Sequence, residues 1–396
     1  MATYREIHGK AIKSLSTDPS ATTDEGQIWY NTASNTFKSI VNLEAWISGA
    51  SLTTARQALG GIGTQTANLA VGGYVSAEST LVEEYNGSGW ATGGALPAAK
   101  NSGGGFGTQT AGVYAGGGLS PNSTATNTSQ EYNGTSWTAS PGNLNTTRDQ
   151  TAGAGIETAG LCCGGTPNGS AETNTSEEYN GSTWTAGNNL NFAARSVNNN
   201  SLGIQTAALL VGGNSSGATS GVQTYDGTNW TTTTSLPEAR ISLATSGTQT
   251  AGLAFGGNDG SNIENTNLQF DGSSWTAGPT MGTARDGLGG SPSGTSSAAV
   301  ASGGRQPGPA NSSLTEEFTV SLSATTAGAW SSGGNTGIAG QAASPVAGTQ
   351  TAGSIVGRNQ GPPSWYSNVT QHYDGSSWTN GGNYPTAGGY LINEGT

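Results

Sequence analysis

One short pattern occurs seven times along this chain, and the repetition limits what the chain can fold into. Residues 83–93 read EEYNGSGWATG, and residues 177–187 read EEYNGSTWTAG. Each copy ends in a tryptophan, and five of the six intervals between these tryptophans measure 45 to 48 residues. The tryptophans are Trp90, Trp137, Trp184, Trp230, Trp275, Trp330 and Trp378. A period near 46 is typical of propellers, in which each repeat forms one four-stranded blade.

Each repeat also contains the signals of its strands and turns. Six of the seven copies have Asn-Gly or Asp-Gly between the aromatic residue and the Trp. This dipeptide predicts a tight hairpin, because a type I′ turn needs two residues with positive φ. Earlier in each repeat, a segment such as GTQT precedes an apolar strand that ends in two glycines, as in NLAVGG at 68–73. Four antiparallel strands are therefore expected in each repeat, and they can bury their faces only against neighbouring repeats.

The predicted fold is an all-β propeller of seven four-stranded blades formed by residues 46–396. Residues 1–45 lie outside the repeat, and IWYNTASNTFK (28–38) predicts a β-hairpin within this N-terminal segment. Trp46 leaves an alternative open, since it is an eighth Trp of the same type without a complete repeat before it. Either its strand joins the last blade and locks the ring, or it forms an eighth blade with residues 388–396.

Composition excludes several classes of partner and location. Ten Trp and twelve Tyr argue against disorder. With 9% charged residues and a net charge of −12, no nucleic-acid partner is expected. The sequence has no apolar run long enough for membrane insertion and no signal-peptide pattern at its start. Cys162 and Cys163 are adjacent in an apolar strand, so packing is expected of them rather than a disulfide framework.

The residues that catalysis or metal binding would need are scarce. His8 and His372 are the only histidines, and the chain has no HExxH, CxxC or calcium-loop motif. Acidic residues recur inside the repeat, as Glu pairs beside the aromatic residue at 83–84, 177–178 and 316–317, which disfavours a hydrolase. We therefore expect no enzyme activity, no metal and no cofactor.

The two ends of such a blade differ. The short a–b and c–d turns would form one face, called here the uniform face. The b–c and d–a loops would form the other, the variable face, where 12 to 15 residues separate the second glycine from the aromatic residue. Variable loops on a rigid scaffold commonly bind ligands. Five residues that interrupt the repeat are the candidate ligand-binding residues: Tyr74, Arg305, Arg358, Trp365 and Tyr366. The last two lie in GPPSWYSN (361–368), which could stack on a sugar or pack on a neighbouring blade.

A cation lies ten or eleven positions after Trp46 and after each of the first five repeat tryptophans. The set comprises Arg56, Lys100, Arg148, Arg195, Arg240 and Arg285. Because these residues share the period of the repeat, we interpret them as structural. They are expected to form ion pairs, or hydrogen bonds to carbonyl groups, that involve the Glu pairs beside each Tyr.

The order of double glycine, Tyr, Trp and Arg resembles the kelch repeat over about residues 50–388. Two repeats depart from it: EEFTVSLSATTAGAW (316–330) lacks the tight turn, and SIVGRN (354–359) replaces the double glycine. SLSTDPSATTDEGQIWYNTASNTFKSI (14–40) resembles the opening of structural tail proteins of marine, T4-like bacteriophages. The GTQTA-containing repeats are similar to those of the same proteins.

This resemblance implies a virion structural protein, a tail-fibre or surface-appendage subunit made in the host cytoplasm and exposed on the particle. Residues 1–45 would attach it to other virion proteins, and it is expected to be a homo-oligomer. The propeller would present its variable face to a host glycan or outer-membrane protein, with many copies multiplying weak contacts. Three alternatives stay open: a stacked spacer subunit without a receptor, a polysaccharide-degrading enzyme, and a bacterial surface adhesin.

Overall fold

A computed structural model describes residues 13–17, 28–34, 36–120, 124–167, 171–195, 200–326, 346–349, 352–359, 366–374 and 377–383. These residues form strands and turns and contain no helix. Within them, accordingly, no helix is long and apolar enough to cross a membrane. They divide into two compact units: residues 40–324 belong to the second, and 28–39 and the residues from 325 onward belong to the first.

The strands follow one another closely and most are short. In chain order they are β1 (Lys13–Leu15), β2 (Ile28–Asn31), β3 (Thr36–Gly49), β4 (Gly60–Gly63), β5 (Asn68–Val71), β6 (Val82–Tyr85), β7 (Trp90–Thr92), β8 (Lys100–Asn101), β9 (Gly104–Thr108), β10 (Ala111–Ala115), β11 (Gly118–Leu119), β12 (Thr124–Ala125), β13 (Ser129–Tyr132), β14 (Trp137–Ala139), β15 (Ala152–Ile156), β16 (Ala159–Cys163), β17 (Ser176–Tyr179), β18 (Trp184–Ala186), β19 (Ser201–Ile204), β20 (Ala207–Val211), β21 (Val222–Tyr225), β22 (Trp230–Thr232), β23 (Ala244–Thr248), β24 (Ala251–Phe255), β25 (Asn267–Phe270), β26 (Trp275–Ala277), β27 (Ala298–Ser302), β28 (Thr315–Thr326), β29 (Val346–Thr349), β30 (Ala352–Asn359), β31 (Tyr366–Tyr373) and β32 (Trp378–Asn380).

Five four-stranded antiparallel sheets in the second unit correspond to the first five repeats. They are sheet 1 (β4–β7), sheet 2 (β9, β10, β13 and β14), sheet 3 (β15–β18), sheet 4 (β19–β22) and sheet 5 (β23–β26). A small three-stranded sheet of β8, β11 and β12 lies in the loops of the second repeat. An all-β chain of four-stranded antiparallel sheets, consistent with a propeller, is thereby confirmed.

The sheet of the sixth repeat includes a strand from the N-terminal part of the chain. Strands β27, β28 and β3 are neighbours, in that order, in a five-stranded sheet that continues through β2 to β1, and we call these three strands sheet 6. The Trp46 ring of β3 lies 5.5 Å from Phe318 and 4.9 Å from Phe255 of sheet 5. In sheets 1 to 5 each repeat's own Trp packs on its own Tyr or Phe at 4.8 to 5.0 Å. Trp46 thus takes, in sheet 6, the place that the repeat's Trp takes elsewhere.

The first unit contains the sheet of the seventh repeat, β29 to β32, in which Trp378 packs on Tyr373 at 5.1 Å. It also contains β1, which pairs in parallel with β2, and the hairpin of β2 with Thr36–Ser39. The units do not divide at residue 45, because β3 continues from this hairpin into sheet 6. Trp330 lies outside the described residues.

The turn between the Tyr and the Trp differs from the predicted type I′ turn. Tyr85 pairs with Trp90, which leaves four residues in the loop rather than two. Gly87 has a φ of +85°, whereas Asn86 is not among the residues with positive φ. Instead, the Asn86 side-chain oxygen accepts hydrogen bonds from the backbone N–H groups of Ser88 and Gly89. An Asx turn of this kind explains why Asp replaces Asn freely in other repeats.

Two kinds of hydrogen bond join neighbouring sheets. The Gln of the GTQT turn donates to carbonyl groups of the preceding sheet, as Gln109 does to Tyr85 at 2.7 Å. The Tyr hydroxyl donates to a Glu of the preceding sheet in four cases: Tyr132 to Glu84, Tyr179 to Glu131, Tyr225 to Glu178, and Tyr85 to Glu317. The last of these, together with the 2.7 Å bond from Gln65 to the Phe318 carbonyl, joins sheet 1 to sheet 6.

Candidate functional site

The uniform face consists of turns that are nearly the same in every repeat. A Cβ placed on Gly87 would lie 3.3 Å from the Thr66 side chain, so the Asn-Gly turn and the GTQT turn of one repeat lie side by side. Gly134 and Thr110 show the same arrangement in the second repeat. The a–b and c–d turns therefore share one face, and the longer loops lie on the opposite face.

On the variable face, the loops of the second unit form a depression that we call the mouth. Two adjoining cavities of about 310 and 320 Å³ share Gln57 and Ala58 in their walls. One is further lined by Tyr74, Asn101, Ser102, Asp149 and Gln150. The other is further lined by Ile241, Ser242, Asn258, Gly260, Asp286, Gly287 and Arg305. Residues from at least five of the six repeats in this unit thus line the mouth.

A repeated backbone conformation links the repeats at the base of the mouth. Ala58, Ser102, Gln150, Ser242 and Gly287 occupy equivalent positions with φ between +51° and +60°. The Ala58 N–H donates to the Gly287 carbonyl at 2.8 Å, and the Ser102 N–H donates to the Ala58 carbonyl at 2.9 Å. Side chains other than glycine adopt this left-handed conformation at a cost. Here the conformation directs each peptide group toward the neighbouring repeat.

Side chains of both charges lie around the mouth. Arg305 forms a bidentate ion pair with Asp286, with N···O distances of 2.6 and 3.1 Å. The Arg305 side chain is 40% exposed. The pair uses Nε and Nη2 of the guanidinium. Asp149 accepts a hydrogen bond from the Thr166 hydroxyl, and burial raises its pKa. Arg195, 3.5 Å from Glu172, partly offsets that rise in the pKa of Asp149.

Two of the five predicted ligand-binding residues, Tyr74 and Arg305, meet at the mouth. The Asn311 side chain donates to the Tyr74 carbonyl at 3.1 Å, and Asn311 is also bridged to Arg305 by its backbone. Tyr74 is half-buried. Its own backbone pairs with Gln57, so it lies directly beside the wall that the two cavities share.

Two of the other three predicted residues lie in strands of the first unit. Arg358 and Tyr366 belong to the paired strands β30 and β31 of the first unit, opposite Ser367 and Asn359 respectively. Tyr366 is therefore the first residue of a strand rather than part of the predicted loop. Trp365 lies outside the described residues.

Sequence reasoning placed Arg195 among the structural cations, and the structure corrects this. Arg195 pairs with Asn214 as Gln57 pairs with Tyr74, so it takes the position at which the other five repeats line the mouth. Buried Ala194 takes the position of the structural cation, and its carbonyl accepts from Gly165 as that of Lys100 does from Gly73. The signal was present in the sequence: Arg195 lies five positions after Leu190, whereas the cation lies four positions after the equivalent apolar residue in the other repeats.

Three of the remaining cations form buried ion pairs with the Glu residues of strand c. Arg148 is 2.6 Å from Glu177, Arg285 is 2.9 Å from Glu316, and Arg56 pairs with Glu83. All six side chains are at least nine-tenths buried. Each carboxylate also accepts a backbone N–H of the loop before its sheet, as Glu83 does from Thr53 at 2.7 Å. The structural interpretation is confirmed for these three cations.

The described residues offer little for covalent or metal chemistry. They contain no group of three His, Cys, Asp or Glu side chains that could hold a metal ion. Burial raises the pKa of Cys162 to about 11, which keeps its thiol protonated and unreactive at neutral pH. The mouth instead offers amides, hydroxyls, an aromatic ring and charged groups already engaged with one another. Such a surface suits hydrogen bonding to a polar ligand.

Comparison with known proteins gives a likeness in fold. No protein-family model matches the sequence, and no curated protein is significantly similar to it. Among solved structures, that of YjhT is similar, with a TM-score of 0.59 and 10% sequence identity. The match covers 70% of this chain and 99% of that chain. At this identity the similarity concerns the fold alone.

Proposed function

We propose that this protein is a virion structural subunit, of a tail fibre or another surface appendage, that binds a host-surface glycan or protein through the mouth. The resemblance of residues 14–40 and of the GTQTA-containing repeats to phage tail proteins supports the virion assignment. The contrast between the two faces supports the binding role and is the observation on which it depends.

On the variable face, the repeats differ most from one another at two positions beside the mouth. The residue that follows the structural cation is Gln57, Asn101, Asp149, Arg195, Ile241 or Asp286 in the six repeats. The residue after the double glycine is Tyr74, Gly118, Thr166, Asn214, Asn258 or Arg305. Strands and turns repeat, while each of these two positions has five different residue types among its six copies. A purely structural role would not require such variety, whereas recognition of one asymmetric ligand does.

We further propose a closed propeller of six blades, in place of the seven or eight expected from the tryptophan count. Contacts between sheets 6 and 1 support it, including the Tyr85–Glu317 hydrogen bond and the 2.9 Å bond from the Trp90 indole to Thr315. A Cβ on Gly61 would overlap the Gly290 carbonyl, so the innermost segments of these repeats touch as well. The seventh repeat, which belongs to the first unit, is then not one of the blades.

Binding of the purified protein to host-type cells and to a glycan array tests the function. A Gln57→Ala/Tyr74→Ala protein should lose at least tenfold in apparent affinity with its melting temperature unchanged. Thr66→Ala, an exposed substitution on the uniform face, is the matched control and should bind as the wild type does. Trp365→Ala/Tyr366→Ala, tested alongside, separates a contribution of the first unit from that of the mouth.

A different outcome would favour the spacer alternative. Ile156 and Ile204 are 50% and 53% exposed, at equivalent a–b turns of neighbouring repeats on the uniform face. Exposed apolar side chains at this face suit contact with another protein subunit. No binding by the wild type, even when it is displayed in many copies, would replace the receptor-binding proposal with this one.

A further inference from the structure

The fifth repeat contains a cavity of about 220 Å³ that is separate from the mouth and shares no residue with it. It lies between the loop before sheet 5 and the ends of β25 and β26. Its walls are Pro237, Glu238, Arg240, Thr266, Asn267, Leu268, Ala277, Gly278 and Thr280. A buried cation thus lies in a mainly apolar surrounding.

Comparison with other repeats explains the cavity. In sheets 1, 3 and 6 the equivalent cation meets a buried Glu, whose carboxylate also accepts a backbone N–H of the loop, at 2.6 Å for Asn145 and Glu177. In the fifth repeat Leu268 stands in place of that Glu, and Pro237, which has no N–H, stands in place of the donor. The fifth repeat therefore lacks both the buried carboxylate that pairs with the cation in sheets 1, 3 and 6 and the backbone N–H that donates to that carboxylate.

The polar groups that remain are incompletely satisfied. Arg240, 3% exposed, makes three hydrogen bonds, to Thr266 at 2.8 Å, to Glu238 at 3.0 Å and to the Ala239 carbonyl at 3.4 Å. A guanidinium has five N–H donors. Asn267 is 1% exposed, and neither its side-chain oxygen nor its nitrogen has a hydrogen-bond partner. Buried polar groups without partners are costly, and few native side chains leave both ends unpaired.

We propose that this cavity binds a small organic carboxylate, which supplies the charge that the Glu supplies in sheets 1, 3 and 6. Its oxygens pair with the Arg240 guanidinium and accept from the Asn267 amide, while its stem lies against Pro237, Leu268 and Ala277. Since a water molecule takes up about 30 Å³ in the liquid, the cavity has room for an acid of a few carbons. Glu238 is 68% exposed and can turn into solvent when a ligand carboxylate arrives.

Titration calorimetry and melting temperature of the full-length protein test the proposal. Propionate and glucuronate are compared with sodium chloride at equal ionic strength and pH 7.5. At least one acid should bind saturably and raise the melting temperature. Binding of propionate assigns the site to free acids, and binding of glucuronate alone assigns it to a carboxylate carried by a sugar. Absence of saturable binding by both acids overturns the proposal.

Substitutions of residues in and around the cavity test whether the acid binds there. Leu268→Glu should abolish binding, because its own carboxylate takes the ligand's place beside Arg240. Asn267→Ser, which restores the residue of sheets 2 and 3, should weaken binding at least fivefold without removing the cation. Glu238→Gln should tighten binding severalfold, since a competing carboxylate is lost. Equal binding by the wild type, Asn267→Ser and Arg240→Gln would also overturn the proposal. This site is independent of the mouth, so its failure leaves the proposed function untouched.

Discussion

A single position in the repeat shows how a buried charge and its surroundings change together. Where the cation is paired with Glu, as Arg148 is with Glu177, the loop before the sheet supplies a backbone donor to the same carboxylate. In the second repeat Gln130 occupies the position of the Glu, and Pro97 stands where that donor would be. The cation there is Lys100, which hydrogen-bonds to Thr128 instead. Removing a buried carboxylate without its donor would leave an unpaired N–H, so the two substitutions belong together.

Lys100 should make stability depend on pH in a way that the arginines do not. Burial lowers its pKa to about 7 from an ordinary value of 10.5. Between these values the unfolded chain holds a proton that the folded protein lacks, so stability falls as the pH is lowered from 10 to 7. The slope is at most about 1.4 kcal/mol per pH unit, and below pH 7 it disappears.

Urea unfolding of the wild type and Lys100→Met at pH 7, 8 and 9 measures this effect. Lys100→Met has no titratable group at this position. Its free energy of unfolding should therefore rise relative to that of the wild type as the pH falls, by about 2 kcal/mol between pH 9 and 7. Parallel pH profiles for the two proteins would mean that the lysine stays protonated in the fold.

At the scale of the strand, the links between sheets follow a pairing rule. Each Tyr hydroxyl that donates across a sheet boundary meets a Glu, and the two repeats with Phe face Thr224 and Gln269 instead. Phe270 and Phe318 have no hydroxyl to offer, so a carboxylate opposite them would gain nothing. The match between acceptor and donor therefore identifies which sheet follows which.

A double-mutant cycle on Tyr132 and Glu84 tests this rule. Tyr132→Phe removes the donor and should cost about 1 kcal/mol, because the partly buried Glu84 is left without it. In Tyr132→Phe/Glu84→Thr, which copies the natural Phe270 and Thr224, the second substitution should cost less than it does alone. The coupling energy from urea unfolding of the four proteins should be about 0.5–1.5 kcal/mol. Strictly additive losses would show that the contact contributes nothing to stability.

Strands were predictable because their pattern is local, whereas turn geometry and strand partners depend on more than the pattern. Alternation and the double glycine located strands such as β5 and β24 correctly. The type I′ turn was wrong because the dipeptide Asn-Gly does not reveal that the Asn side chain accepts two backbone N–H groups. Tyr74 and Arg305, which line the mouth, were predicted as ligand-binding residues because they interrupt the repeat. Arg195 was missed because an inserted residue shifted it by one position.

For the whole molecule, the number of tryptophans overstates the number of sheets in the second unit. Trp46 is followed ten residues later by Arg56, just as Trp275 is followed by Arg285. This spacing marks the segment 46–56 as the end of a repeat whose beginning lies elsewhere in the chain. That beginning is β27 and β28, more than 240 residues away. Local sequence cannot show such a partner, although the unmatched Glu317 and Tyr85 at the two ends of the series point to it.

The proposal of six blades makes Trp46, and not Trp378, the residue that closes the ring. Trp46→Ala removes contacts with Phe255 and Phe318 and should destabilise the second unit by about 2–3 kcal/mol, somewhat less than a fully buried Trp would. Hydrogen exchange followed by mass spectrometry should then show faster exchange in β4–β6 and β23–β25, the sheets on either side of sheet 6. Trp378→Ala removes an equivalent aromatic pair with Tyr373 and should leave exchange in these strands unchanged. If Trp378→Ala loosened β4–β6 as much as Trp46→Ala does, the seventh repeat would have to lie in the ring, next to sheet 1.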